Sequence, residues 1–359
     1  MHTSVIPISA AKAAAVRYLS CLRLQEILVL QGSPLLGAAF AIRHPAAENV
    51  GPLAILAVAN ICLVAHIFML NDWSGLPTDL TDPNRAASVF TARGVGRKEI
   101  GGLAAGLLAL SLLLFSRLGP STLCLALAIA TLSALYSLPR FNWKGRPLLS
   151  SAAHLAGGAL HFLLGYSLGN AIDRRGLATA AFFALTFAAG HLTQEIRDHQ
   201  GDVLNAIRTN AVIFGQRRTF AASLALFTLA YALLLLLALQ GTLPRPLAAL
   251  VALYPIHLRW SLKTLAEGLT YASISRLQAR YRVLYAIVGL AMVAALCSAP
   301  QATLRAREAK DLRLLGWHLL HASPTAREAG ISPLRRRCRG VPARFSTALA
   351  GPQRRGAGP

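Results

Sequence analysis

Two short stretches hold residues that could do chemistry together. The first is Asn71-Asp72-Trp73-Ser74-Gly75-Leu76-Pro77-Thr78-Asp79, with Asp82 just beyond it. The second is Gln194-Glu195-Ile196-Arg197-Asp198-His199-Gln200-Gly201-Asp202. Six of the chain's 14 acidic residues lie in these two places, so the acid is concentrated rather than spread over a solvated surface. Each stretch follows a long apolar run. Carboxylates at the mouth of hydrocarbon are costly and usually mark an ion or substrate path.

Spacing gives the two stretches different shapes. Glu195, Asp198 and Asp202 stand at i, i+3 and i+7, which on a helix falls within roughly 60° of one face. Gly75 and Pro77 are expected to end or bend the helix of the first stretch, so that Asp79 approaches from a loop. Two carboxylate sets near basic residues suit a magnesium-bound diphosphate, since magnesium takes one or two carboxylates, keeps several waters and completes its shell with phosphate oxygens. The plainer alternative is structural salt bridging to Arg85, Arg197 or Arg208.

The elements that must position these groups are membrane helices. With 359 residues, 55% hydrophobic, 14% charged and a mean hydropathy of +0.50, the chain is a poor soluble domain and a good multi-span membrane protein. Nine spans are expected, near 24–42, 51–70, 99–116, 120–138, 148–169, 177–196, 218–240, 246–260 and 281–299, the eighth being short and holding Pro255. Gly101, Gly102, Gly157 and Gly158 would let helices approach closely. No cleavable leader is evident in Met1–Ala15. Cys21, Cys62, Cys124, Cys297 and Cys338 have no metal-ligand spacing and imply neither disulfides nor zinc.

The net charge of +22 does not point to nucleic acid, because the basic residues punctuate apolar runs. The N-terminus and the loops after even-numbered spans hold Arg85, Arg93, Arg97, Lys98, Arg140, Lys144, Arg146, Arg208, Arg217 and Arg218. The opposite loops hold Arg43, Arg117, Arg174, Arg175 and Arg245. The richer side is cytoplasmic by the positive-inside rule, and both acidic stretches open to it. The expectation is an all-α integral membrane protein of the cell inner membrane, about nine helices bundled around a central cavity, with both acidic motifs on cytoplasmic loops. Residues 1–300 form this transmembrane domain. Residues 301–359 are a basic, disordered tail: Ala302–Pro359 carries 12 basic residues against three acids, and Leu304–Leu320 could lie on a membrane surface as an amphipathic helix.

An internal repeat supports a shared site. Asn71-Asp72 and Gln194-Glu195 are both amide-then-acid pairs, each followed seven residues after the acid by Asp79 or Asp202. Gly96-Arg97-Lys98 and Gly215-Gln216-Arg217-Arg218 each open the next apolar run. Two related helical halves with a site between them are a common membrane-protein plan.

These residues resemble the UbiA superfamily of intramembrane prenyltransferases. The family's Asn-Asp-x-x-Asp-x-x-x-Asp motif maps onto Asn71, Asp72, Gly75 and Asp79, and its second acidic motif onto Glu195, Asp198 and Asp202. Asn84-Arg85, Ile207-Arg208-Thr209 with Gly215, and Tyr136-Ser137-Leu138-Pro139…Lys144-Gly145-Arg146-Pro147 resemble its neighbouring segments. The likeness runs from about Arg17 to Ser298. It implies a magnesium-dependent enzyme that transfers an isoprenyl group from a prenyl diphosphate to an aromatic or other lipophilic acceptor. Asp72, Asp79, Glu195, Asp198 and Asp202 would bind metal, with Asp72, Asp79, Asp198 and Asp202 catalytic. Asn71, Arg85, Tyr136, Lys144, Arg146 and Arg208 would bind substrate. Phe141, Trp143, Phe162, Phe187, His154, His161 and His191 are further candidates for the prenyl or acceptor wall, each also readable as packing. Gly75 departs from the family by replacing the middle aspartate of the first motif, which leaves Asp82 as a possible substitute. A transporter or lipid-binding protein, or a catalytically weakened relative, are the alternatives.

Overall fold

A computed structural model describes residues 16–42, 47–169 and 171–298, which form helices and no strand. The basic tail and its Leu304–Leu320 segment lie outside the described residues. Helices α1 (Leu24–Leu30) and α2 (Gly32–Ile42) are two pieces of the first span. Buried Gln31 sits at their junction, donating to Ile27 O at 2.8 Å and accepting from Asn60 at 2.8 Å. There follow α3 (Ala47–Thr81), α4 (Arg97–Ser116), α5 (Pro120–Ser137), α6 (Leu149–Tyr166) and α7 (Arg174–Arg197). Two short helices, α8 (His199–Leu204) and α9 (Asn210–Phe214), lead into α10 (Gln216–Leu239). A run of 3-10 turns over Arg245–Leu253 precedes α11 (Tyr254–Ala266) and α12 (Tyr271–Cys297).

Seven helical segments among the described residues are long and apolar enough to cross a bilayer. Two of the nine expected spans are not among them. Helix α6 carries Ser150, Ser151, His154 and His161, which lower its hydropathy, and the eighth span is irregular up to Leu253, with Pro255 in the first turn of the 13-residue α11. The chain is a multi-pass integral membrane protein.

Close helix contacts are made at glycines. A Cβ on Gly37 would run into the Phe162 carbonyl, and one on Gly165 into the Pro34 carbonyl, so α2 and α6 meet backbone to backbone. A Cβ on Gly158 would come within 2.7 Å of the Phe183 carbonyl, which seats α6 against α7. Of the other glycines expected to do this, Gly101 receives the Trp73 indole, whereas Gly157 is in ordinary contact and Gly102 faces open space. Gly96 and Gly215 stand at the N-caps of α4 and α10, in matching places after the two acidic stretches.

The first acidic stretch does not lie on a loop. Helix α3 has 35 residues and runs unbroken through Gly75 and Pro77 to Thr81. At 1.5 Å per residue it is about 52 Å long, well beyond the roughly 30 Å of hydrocarbon. Proline removes one hydrogen bond from a helix interior, and packing supplies the compensation here. Trp73 lies between Gly101 and the Arg97 guanidinium, 4.7 Å from its ring, pinning this end of α3 to α4. The hydroxyls of Thr78 and Thr81 also cap the Gly75 and Thr78 carbonyls at 2.8 and 2.9 Å.

Candidate active site

On α3, Asp72 and Asp79 are seven residues apart and share a face, with Gly75 leaving a bare patch between them. A Cβ at Gly75 would sit 3.5 Å from Asp79 Oδ2 and 3.9 Å from Asn71 Oδ1, so the place of the missing carboxylate is physically open. Asp72 is ion-paired with Arg23 from the chain segment ahead of α1. Asp79 accepts from Arg85 Nη1 at 2.9 Å. Beyond the end of α3, Asp82 Oδ1 accepts the Asn84 N–H at 2.8 Å, a local turn that fixes the side chain.

The second stretch breaks rather than continuing as one stripe. Helix α7 ends at Arg197, Asp198 takes the capping position with φ −87° and ψ 3°, and α8 begins at His199. Asp198 therefore faces Arg85, whose Nη2 donates to its Oδ2 at 3.2 Å. Arg197 grips both oxygens of Asp198, at 2.7 and 3.0 Å, and donates to Gln278 on α12 at 3.1 Å. Asn205, after α8, binds the end of α3 through the Thr78 carbonyl at 3.1 Å and the Thr81 hydroxyl at 2.7 Å. These ties bring the two acidic stretches to one small pocket that is open to solvent. Asp79, Asp82, Asp198, Asp202, Arg85 and Lys144 line it.

Electrostatics separates these groups. Burial opposes the charge on Arg85, but Asp198 and Asp79 outweigh it and hold the guanidinium above its ordinary pKa. Burial likewise opposes ionisation of Asp198; the Arg197 hydrogen bond and the charges of Arg85, Arg197 and Lys144 win and hold that carboxyl below the usual range. Asp202 is pushed up to about 6, chiefly by burial, with Lys144 opposing and Asp198 adding to the rise.

The remaining predicted residues lie elsewhere. Glu195 does not line the pocket. It is 5% exposed and accepts from Ser150 Oγ at 2.9 Å, the Asn210 N–H at 3.0 Å and Asn210 Nδ2 at 2.9 Å. His191 Nε2 lies 3.0 Å from it without hydrogen-bond alignment. Asn71 and Asp72 sit deeper on α3, outside the pocket lining. Arg146 and Arg208 are exposed and outside it as well. Tyr136 packs edge-on to His154 at 4.9 Å and to His191 at 6.2 Å, while those two imidazoles stack at 3.6 Å. Phe187 and His161 flank this cluster; Phe162 packs in the core with Phe40 and Phe183. Sequence reasoning missed Arg23, Asn205 and Asn210, which carry no motif of their own.

Among the described residues, no three His, Cys, Asp or Glu side chains converge into a ready-made metal shell. The donor set still fits magnesium, because one or two carboxylates suffice when water and phosphate oxygens complete the shell. Four acids line the pocket, two of them, Asp79 and Asp198, ion-paired with arginine.

Residues 33–272 match the model of the UbiA prenyltransferase family. No curated protein matches the chain by sequence. Among solved structures, a UbiA homolog from Archaeoglobus fulgidus bound to GPP and Mg2+ superposes with a TM-score of 0.60 at 15% identity, covering 77% of this chain and 99% of that one. The same homolog bound to DMAPP and Mg2+ gives 0.58 at 15% identity, covering 77% and 99%. A structure reported for digeranylgeranylglyceryl phosphate synthase in membranes gives 0.60 at 16% identity, covering 79% and 99%. At this identity the likeness establishes the fold alone.

Proposed function

The chain belongs to the UbiA prenyltransferase family, and from that premise we propose that it transfers an isoprenyl group from a prenyl diphosphate to an aromatic or other lipophilic acceptor. Pyrophosphate leaves, and Mg2+ is required. One observation carries this reading: acids from the ends of α3 and α7, far apart in sequence, meet at one pocket with Arg85 and Lys144. The solved homolog with GPP and Mg2+ supports the donor class.

Asp79, Asp82, Asp198 and Asp202 line the pocket in which magnesium would be held. When bound, the metal supplies positive charge that stabilises the diphosphate as its bond to the allylic carbon breaks. Lys144 lines the same pocket and would add charge to the leaving group. Arg85 locks Asp79 to Asp198, so its main work is to hold the two halves of the site in register. Tyr136, Phe187 and His154, half-buried, form an aromatic wall with the buried His191 stacked on His154. Aromatic faces there would shield the prenyl group from water and favour developing positive charge.

The basic loops beside it support a pocket that opens to the cytoplasmic side of the cell inner membrane. Membranes containing the protein should release pyrophosphate from a prenyl diphosphate only with magnesium, and Asp198→Ala should abolish that release. Normal turnover by this variant, or ion-driven uptake of the diphosphate with no covalent change, would sink the proposal.

A further inference from the structure

The acids of the first motif are too few, and those present are already engaged. Gly75 offers no side chain, Asp72 is paired with Arg23, and Asp79 is paired with Arg85. In the second motif, Arg197 and Arg85 together occupy Asp198. Two pocket carboxylates are left over. Asp82 is 5% exposed and Asp202 is 6% exposed, and among the described residues no lysine or arginine lies within ion-pair distance of either. Lys144 lines the same pocket and its charge reaches Asp202, but it stands beyond ion-pair distance of both acids.

Chain geometry brings these two together from opposite halves of the site. The Asp82 carboxylate lies directly against Gly201, where a Cβ would collide with it, and Gly201 is the residue before Asp202. Only a residue without a side chain at 201 lets the loop after α3 enter this far. Buried carboxylates without a positive partner in direct contact are unfavourable. A hard cation that takes two carboxylates and fills its shell with water and phosphate oxygens removes that penalty.

We propose that this chain binds its donor with a single divalent cation, held by Asp82 and Asp202, while the Arg85 guanidinium provides the positive charge at the first motif. The inference rests on the prenyl diphosphate reading above. It makes Asp82, which lies outside the motif pattern, the replacement for the acid missing at Gly75, supplied to the other half of the site.

The test uses full-length protein in nanodiscs, Mn2+ as the probe, and geranyl S-thiolodiphosphate as an unreactive donor, with bound manganese counted by electron paramagnetic resonance. One manganese per chain is expected. Asp82→Asn and Asp202→Asn should each weaken it at least about tenfold, while Asp72→Asn changes it by less than about twofold. Asp82→Glu should keep the cation, which separates a lost ligand from a lost fold. Two manganese ions per wild-type chain, or an Asp72→Asn loss as large as that of Asp82→Asn, would overturn the single-cation inference and leave the donor reading standing. No manganese uptake with the donor analogue would remove the donor reading itself.

Discussion

Replacing Glu195 with glutamine separates a metal ligand from a structural strut. In the structure its carboxylate is nearly fully buried and receives hydrogen bonds from Ser150, the Asn210 N–H and the Asn210 side chain. Glutamine keeps the shape but removes the charge, so each of these three bonds weakens by about 1 kcal/mol. One carboxylate oxygen also becomes an NH2 group that faces donors from Asn210. That unmet pairing costs about 1–3 kcal/mol more. The expected loss of folding stability is therefore roughly 4–6 kcal/mol if no neighbour rearranges, and less if Asn210 turns its amide over. Denaturant unfolding of the purified protein in micelles measures it. The magnesium concentration giving half-maximal pyrophosphate release, taken on the folded fraction, should stay within about twofold, because a residue outside the metal shell and its immediate partners has little leverage on affinity. A tenfold rise in that concentration with unchanged stability would refute this reasoning and return Glu195 to the metal.

Three other perturbations probe separate links. Asn205→Ala removes the two hydrogen bonds that tie the segment after α8 to the end of α3. A stability loss of about 1–3 kcal/mol is expected, with a raised KM for the prenyl diphosphate in steady-state assays; an unchanged KM would deny this tie a role in shaping the pocket. Gly165→Ala drives a methyl group into the Pro34 carbonyl. Overpacking of this kind costs about 1–3 kcal/mol, visible as a lower thermal midpoint, whereas a neutral change would mean that α2 and α6 can separate freely. Arg85→Met leaves Asp79 and Asp198 facing each other without their shared cation. Pyrophosphate release should fall by about 100-fold or more, on the scale of one lost electrostatic stabiliser, and activity within a few-fold of the native protein would dismiss the bridge.

The meeting of the two acidic stretches was legible because carboxylates are rare in this chain and their clustering beside apolar runs has few benign explanations. Its geometry was less so, for reasons that differ residue by residue. Pro77 reads as a helix breaker, yet α3 continues because Trp73, Gly101 and Arg97 fasten this end of the helix, a contact made across 24 or more residues. Glu195 reads as the first member of an acidic stripe. The helix ends at Arg197, however, and Ser150 and Asn210 arrive from other elements to enclose that carboxylate. The local period of 3.6 holds only while the helix lasts.

Charge pairing has the same non-local character, and it decides what the acids can do. Composition shows six clustered acids, but an acid's capacity to attract a cation depends on which arginine has already reached it. Arg23 lies 49 residues before Asp72, and Arg85 lies 113 residues before Asp198. No spacing rule links members of such pairs. Once they are drawn, the motif that matches the family pattern over Asn71, Asp72 and Asp79 is the more neutralised half, and Asp82, outside that pattern, is among the acids left without a cationic partner. The substitution at Gly75 then need not mean a weakened enzyme. On the single-cation proposal, the fold would keep a diphosphate site by moving one carboxylate from a helix face to the loop that follows it, provided the opposite segment of chain offers a glycine where that loop must enter. Gly201 meets that condition.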